Sequence, residues 1–206
     1  MRSRLGLLLL AGGLAWAPSA RAEQGTHFLL ELHGGIAGTA ADYLDLGWSF
    51  GGVVGVGGKF RGFPPRFYVV GSYRSSFFAG DGIHYGTGVP FEAWEADHDL
   101  AGGMRTVFPL WSRIFRLYVD VLGGTAGHTA TLERQGERAL QSTSWGGVFV
   151  LGVGLQARWH PSASAGLRFE WSIADRGADL VAVASGHGDD ADNERKALYL
   201  SNTWYF

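Results

Sequence analysis

The chain has 206 residues, with 17 Lys and Arg against 19 Asp and Glu, a net charge of −2 and no cysteine. That balance excludes the basic footprint of a nucleic-acid-binding protein, and the missing thiols exclude disulfides, cysteine nucleophiles and cysteine-ligated metals. Glycine supplies 33 residues, roughly double its usual share, yet aromatics reach 14%, which sets the chain apart from aromatic-poor disordered sequences.

Residues 1–22 read as a leader. Arg2 and Arg4 precede the apolar run Leu5 to Ala17, and Ala20-Arg21-Ala22 offers a small-residue cleavage site, the pattern of a secretory signal peptide. The run is shorter than the roughly 20 residues of a spanning helix. Cleavage before Glu23 is expected; it removes three of the basic residues and leaves 14 against 19 acidic ones.

After the leader the chain alternates with a period of two in eight successive segments. Phe28, Leu30, Leu32 and Ile36 oppose Glu31 and His33 in the first. Trp48, Phe50, Val54, Val56 and Phe60 oppose Ser49, Gly51, Val53, Gly55, Gly57 and Lys59 in the second. In the third, Phe67, Val69, Tyr73 and Phe77 oppose Tyr68, Val70, Ser72, Arg74 and Ser76. In the fourth, Trp94, Leu100, Met104 and Phe108 oppose Glu95, Asp97, Asp99 and Arg105. Leu117, Val119 and Val121 oppose Arg116, Tyr118 and Asp120 in the fifth. The sixth, Trp145 to Trp159, carries four glycines within Trp145 to Leu155 and is a poor helix at about 1 kcal/mol per glycine. Leu167, Phe169, Trp171 and Ile173 oppose Arg168, Glu170 and Ser172 in the seventh, and Leu198, Leu200, Trp204 and Phe206 oppose Tyr199, Ser201 and Thr203 in the last.

Charged residues rarely bury unpaired, so a charged face opposite a large apolar face does not suit a soluble sandwich. Aromatics also bound the apolar faces: Phe60, Phe67, Phe108, Phe115, Trp159 and Phe206 at one end, and Trp48, Phe77, Trp94 and Trp145 at the other. Short links at Arg61–Arg66, Pro109–Ile114 and His160–Ser164 alternate with long ones at Gly38–Gly47, Phe78–Ala93, Leu132–Ser144 and Gly177–Lys196. Two aromatic girdles and alternating short turns and long loops predict an all-β, eight-stranded antiparallel up-and-down transmembrane β-barrel over residues 23–206. Ten strands remain open, because Asp179 to Ala184 is itself strand-like.

The closing "YLSNTWYF", Tyr199 to Phe206, ends on a phenylalanine preceded by alternating apolar residues. It resembles the β-signal read by the outer-membrane assembly machinery of Gram-negative bacteria, with Asn202 out of phase. From Glu23 to Phe206 the chain resembles the small outer-membrane proteins of the OmpA transmembrane-domain, OmpX and OmpW kind. The resemblance implies the bacterial outer membrane as location, outer-membrane lipids and lipopolysaccharide and the barrel assembly machinery as partners, and a monomer.

By alternation, Lys59, Arg74, Arg105, Arg116, Arg158 and Arg168 face inward, with Glu31, Glu95, Asp97, Asp99, Asp120 and Glu170. An eight-stranded barrel is just wide enough for side chains to fill, and equal signs favour a plug over a selective pore, which lines its wall with one sign. The expected role is structural or adhesive, with a closed lumen and four surface loops. The alternatives are a narrow small-solute channel of the OmpW kind and a lipid A-modifying hydrolase or acyltransferase.

For the enzyme class the histidines decide. His160-Pro161-Ser162 matches a deacylase-like His-x-Ser pair, but Ala163 follows where that family carries Asn, and the pair falls in a short turn. His98 lies between Asp97 and Asp99 in sequence but on the opposite strand face, and no serine nucleophile is assignable beside it. Gly188 to Glu194 has calcium-friendly oxygens without the glycine and distal glutamate of an EF-hand loop, and Glu133 to Arg138 reads as a water-facing loop tip able to touch lipopolysaccharide phosphates. No catalytic, cofactor-binding or metal-binding residue is assigned.

Overall fold

The computed structural model describes residues 26–39, 44–60, 62–83, 88–110, 114–135, 137–175 and 194–206. Their strands are β1 (His27–Thr39), β2 (Gly47–Lys59), β3 (Arg66–Ile83), β4 (Pro90–Pro109), β5 (Phe115–Arg134), β6 (Glu137–His160), β7 (Ala163–Ala174) and β8 (Glu194–Tyr205). Each pairs antiparallel with its neighbours in sequence, and β8 returns to β1, closing the ring. Phe28 and Phe206 exchange backbone hydrogen bonds of 3.1 and 2.9 Å, so the final segment is the closing strand. The leader and the strand-like Asp179 to Ala184 lie outside the described residues.

The alternation resolves into an apolar outside and a mixed inside. Val54, Val69, Leu100, Met104, Leu155, Leu167, Phe169 and Leu200 are exposed on the outer wall, and Trp48, Trp94, Trp145, Phe60, Phe108, Phe115 and Trp159 are exposed in the two girdles. Trp48 and Leu200 are each 72% exposed, and a continuous apolar surface of this kind is fit for hydrocarbon. The inner face is not wholly ionic: Leu29, Val53, Tyr68, Val70, Tyr118, Leu122, Val148 and Val150 form a buried apolar cluster around the charges.

At one end the links are tight turns. Phe63 donates to the Phe60 carbonyl across the β2–β3 turn, where Gly62 takes a positive φ of 81°, and Pro161 and Ser162 make the β6–β7 turn. At the other end two of the four expected long loops are corrected, while Gly38–Gly47 and Gly177–Lys196 fall partly or largely outside the described residues. The segment Phe78–Ala93 is largely strand, with β3 running on to Ile83 and β4 starting at Pro90, and Leu132–Ser144 is a hairpin tip. There Gln135 takes a positive φ of 54°, Arg134 opposes Glu137 and Glu133 opposes Arg138.

The four central strands therefore rise beyond the outer girdle as a sheet. Its inward face carries Phe91, Ala93, Ala130 and Leu132, packed with Leu44 and Leu140. Above the hydrocarbon, water lies outside the sheet, and the ordinary apolar-inward pattern of a soluble protein returns.

Candidate functional site

The inward charges meet in the middle of the barrel. Arg105 of β4 sends Nε and Nη2 to the two oxygens of Asp120 on β5, at 2.6 and 2.8 Å, and Nη1 and Nη2 to those of Glu31 on β1, at 2.7 and 3.2 Å. Arg168 of β7 shares both carboxylates, donating from Nη1 to Asp120 at 2.6 Å and to Glu31 at 3.1 Å. Its Nε and Nη2 hold Glu170 at 3.0 and 2.7 Å. Glu170 passes the chain to Arg74 of β3, which also pairs with Asp99 and donates to the Ser172 hydroxyl at 2.9 Å. Gln156 of β6 donates to Thr203 of β8 at 2.6 Å, Thr203 donates to Glu31 at 3.0 Å, and Tyr205 donates to Gln156 at 2.9 Å.

Arg105, Arg168, Glu31 and Asp120 are 0% exposed. Ions this deep persist only when paired and hydrogen-bonded, and the forked guanidinium supplies the geometry to bridge two carboxylates at once. Aromatic faces complete the cage, with the Arg105 guanidinium 4.1 Å and that of Arg168 5.9 Å from the Tyr118 ring centre. Glycine makes the room. A methyl at Gly154 would overlap the Tyr118 ring, and one at Gly152 would press on Asp120 and Arg168 at 3.2 to 3.3 Å.

Two further layers lie toward the extended sheet. Ser49 is 2.8 Å from both the Ser76 and the Tyr199 hydroxyls, with the His33 ring 4.6 Å from that of Tyr199. Above them Arg195 of β8 holds Asp97 and Glu95 at 3.0 Å each and donates to Thr39, while Asp97 also takes His128 Nδ1 at 2.7 Å.

All six acids expected inside are there, buried and paired, with Arg74, Arg105 and Arg168. Lys59, Arg116 and Arg158 share the inward parity but sit at the short-turn mouth; Lys59 is exposed and none joins the network. The sequence reading missed Arg195, which it placed in a loop, and the amide and hydroxyl supports Gln156 and Thr203. The signal for Arg195 was its phase, two residues before Ala197 and four before Tyr199 on the inward face of β8.

His98 is on the outer wall, as its phase requires, but the expectation of no neighbouring serine is corrected. Ser75 lies directly opposite on β3, its hydroxyl 2.8 Å from His98 Nδ1, and the Tyr73 hydroxyl reaches the same nitrogen at 3.1 Å. Ser75 is 1% exposed beneath this ring, so the trio hides polar groups from lipid and does not present a nucleophile. His160 and Ser162 are brought together, Nδ1 to hydroxyl at 2.9 Å, but the Ser162 N–H points at the same nitrogen at 3.3 Å, which makes the pair a local turn contact. Of the Gly188 to Glu194 segment only Glu194 is described, and it accepts from Trp171 at 2.6 Å and pairs with Lys196 at 3.0 Å. Among the described residues no group of three potential ligands converges on a metal position.

No protein-family model and no curated protein matches the chain. Solved structures do. The attachment invasion locus protein Ail of Yersinia pestis superposes with a TM-score of 0.51 at 15% identity, covering 89% of this chain and 99% of that one. A major outer membrane protein of Thermus thermophilus superposes at 0.52 and 15% identity, covering 89% and 100%. The fold is that of the small eight-stranded outer-membrane β-barrels. At this identity the likeness carries architecture alone; within it the ionic network crosses the middle of the barrel, between the two aromatic girdles, and the β3–β6 sheet extends past one of them.

Proposed function

We propose that the chain is a bacterial outer-membrane protein, exported through its leader, with its short turns in the periplasm, its lumen shut, and its working part the β3–β6 sheet held above the surface. The observation that carries this reading is the cross-lumen network: Arg105 and Arg168 bind Glu31 and Asp120 from opposite walls with no exposed surface. A tube filled by compensating charges has no single-sign wall to select an ion, which leaves the outer surfaces for function. The sheet there has its own apolar core, and before Gly146, past the Asp175 bond to the Gly147 carbonyl, strand β6 is paired among the described residues with β5 alone. Open edges are templates for an added strand. The role is structural or adhesive, in a monomer surrounded by outer-membrane lipid and lipopolysaccharide; Ail, named for attachment, shares the fold.

Planar-bilayer recording of the purified barrel tests the shut lumen. The expected trace has no steady unitary current, while Arg105→Ala with Arg168→Ala opens a measurable one; steady current from the unaltered protein overturns the reading in favour of a small-solute channel. Adherence of cells displaying the barrel, compared with cells displaying one shortened between Ala79 and Ala93 and between Ala130 and Ser142, tests the surface role, and equal adherence removes it.

A further inference from the structure

The short-turn mouth carries cations that the network does not use. Along four strands, the residue next to a girdle aromatic is basic and of inward phase: Lys59 before Phe60, Arg66 before Phe67, Arg116 after Phe115, Arg158 before Trp159. They therefore ring the lumen at one level, the level of the inner girdle. Lys59 and Arg66 are directly opposed on β2 and β3, and Arg116 opposes Gln156 two residues from Arg158. Like charges placed directly opposite are destabilising, so the arrangement works against the fold unless something negative sits between them.

Among the described residues, the four bases have no ion-pair partner. The nearest acids in depth, Glu31 and Asp120, are bound by Arg105 and Arg168. The Arg116 guanidinium lies instead over the Tyr205 ring at 4.8 Å, the Tyr205 and Tyr68 rings are 6.1 Å apart, and the Tyr68 hydroxyl, 1% exposed as a residue, has no hydrogen-bond partner among the described residues. Three guanidinium forks and an ammonium of inward phase lie at one mouth, with a buried hydroxyl that has no hydrogen-bond partner among the described residues. Guanidinium forks match the paired oxygens of phosphate.

We propose that the short-turn mouth is an oxyanion site for a phosphate group, held by Arg66, Arg116, Arg158 and Lys59 with Tyr68 beneath. Two sources present this chemistry: the headgroup of an anionic phospholipid in the adjoining leaflet, and a soluble phosphate ester. The site stands apart from the ionic network and does not depend on whether the lumen conducts.

The test is calorimetric titration of inorganic pyrophosphate into the full barrel in phosphatidylcholine nanodiscs, with native mass spectrometry from discs that also contain phosphatidylglycerol. Saturable pyrophosphate binding that weakens with salt identifies a soluble source; retention of phosphatidylglycerol over phosphatidylcholine identifies the lipid. Either response falls tenfold or more in R66Q/R116Q, is largely kept in R66K/R116K, and is unchanged by R138Q/K196Q at the opposite end. The heat-shifted gel band of each variant reports folding; should R66Q/R116Q not fold, K59Q/R158Q takes its place with the same expected loss. Absence of both responses, or equal responses from parent and mouth variants, overturns the proposal.

Discussion

Replacing Arg105 by Met probes the network most directly. The substitution keeps most of the stem volume, so packing changes little, but removes four hydrogen bonds of 2.6 to 3.2 Å to two carboxylates that are fully buried. Breaking a buried ion pair from one side costs about 3–5 kcal/mol, because the remaining charge stays desolvated. Arg168 still reaches both Glu31 and Asp120, which places the expected loss toward the lower end, about 3 kcal/mol. The assay is equilibrium urea unfolding in phospholipid vesicles, followed by tryptophan fluorescence and by the gel shift of the folded band. Adding Asp120→Asn removes one orphaned charge, so the double variant is less damaged than the two single losses combined, with a coupling of about 1–3 kcal/mol. A single-variant loss below about 1 kcal/mol, or strict additivity, would refute the argument that these ions hold the two walls together.

Gly154→Val collides with the Tyr118 ring and is expected to cost about 1–3 kcal/mol in the same unfolding assay, whereas Gly147→Ala, with nothing within 4 Å of the added carbon, stays within about 0.5 kcal/mol. Val54→Arg places a charge on the outer wall midway between Trp48 and Phe60 at a position 60% exposed; a loss of about 2–4 kcal/mol in vesicles is expected, and no loss there would mean the wall does not face hydrocarbon. Phe91→Ala empties the small core of the raised sheet: limited proteolysis should cut near Gln135 sooner while the gel-shifted barrel band persists. Ser75→Ala and His98→Ala are expected to leave the acyl pattern of lipid A unchanged by mass spectrometry, and an altered pattern would reinstate the enzyme reading.

Much of this was readable from residue order because the physics is local. Phase alone places Glu31, Asp97, Asp120 and Glu170 inside and Val54, Leu100 and Leu200 outside, since a strand offers only two faces. Phase does not give depth. Lys59, Arg116 and Arg158 share the face of Arg105 but lie at the mouth, and it is the neighbouring girdle aromatics Phe60, Phe115 and Trp159 that give their depth. Register hid the partner of His98, since Ser75 lies 23 positions away in sequence yet directly opposite across β3 and β4. The raised sheet escaped notice for a different reason: past the outer girdle the polarity rule inverts, so Phe91, Ala93, Ala130 and Leu132 read as loop filler when judged by the rule that holds in lipid. Arg195 was lost in the same region, at a strand start with no aromatic to mark it.

The wiring of the ionic network bears on how the barrel enters its membrane. Two of its pairs, Arg74 with Asp99 and Arg105 with Asp120, sit directly opposite each other on adjacent strands and form as soon as the central hairpins do. Glu31 is contributed by the first strand, Arg168 and Glu170 by the seventh, and their contacts cross the tube. A partly assembled sheet would carry half-neutralised ions toward hydrocarbon, where no water compensates them. The pairing of these charges is therefore complete only in the closed ring, and a ring lacking β1 or β7 is expected to be markedly less stable in lipid.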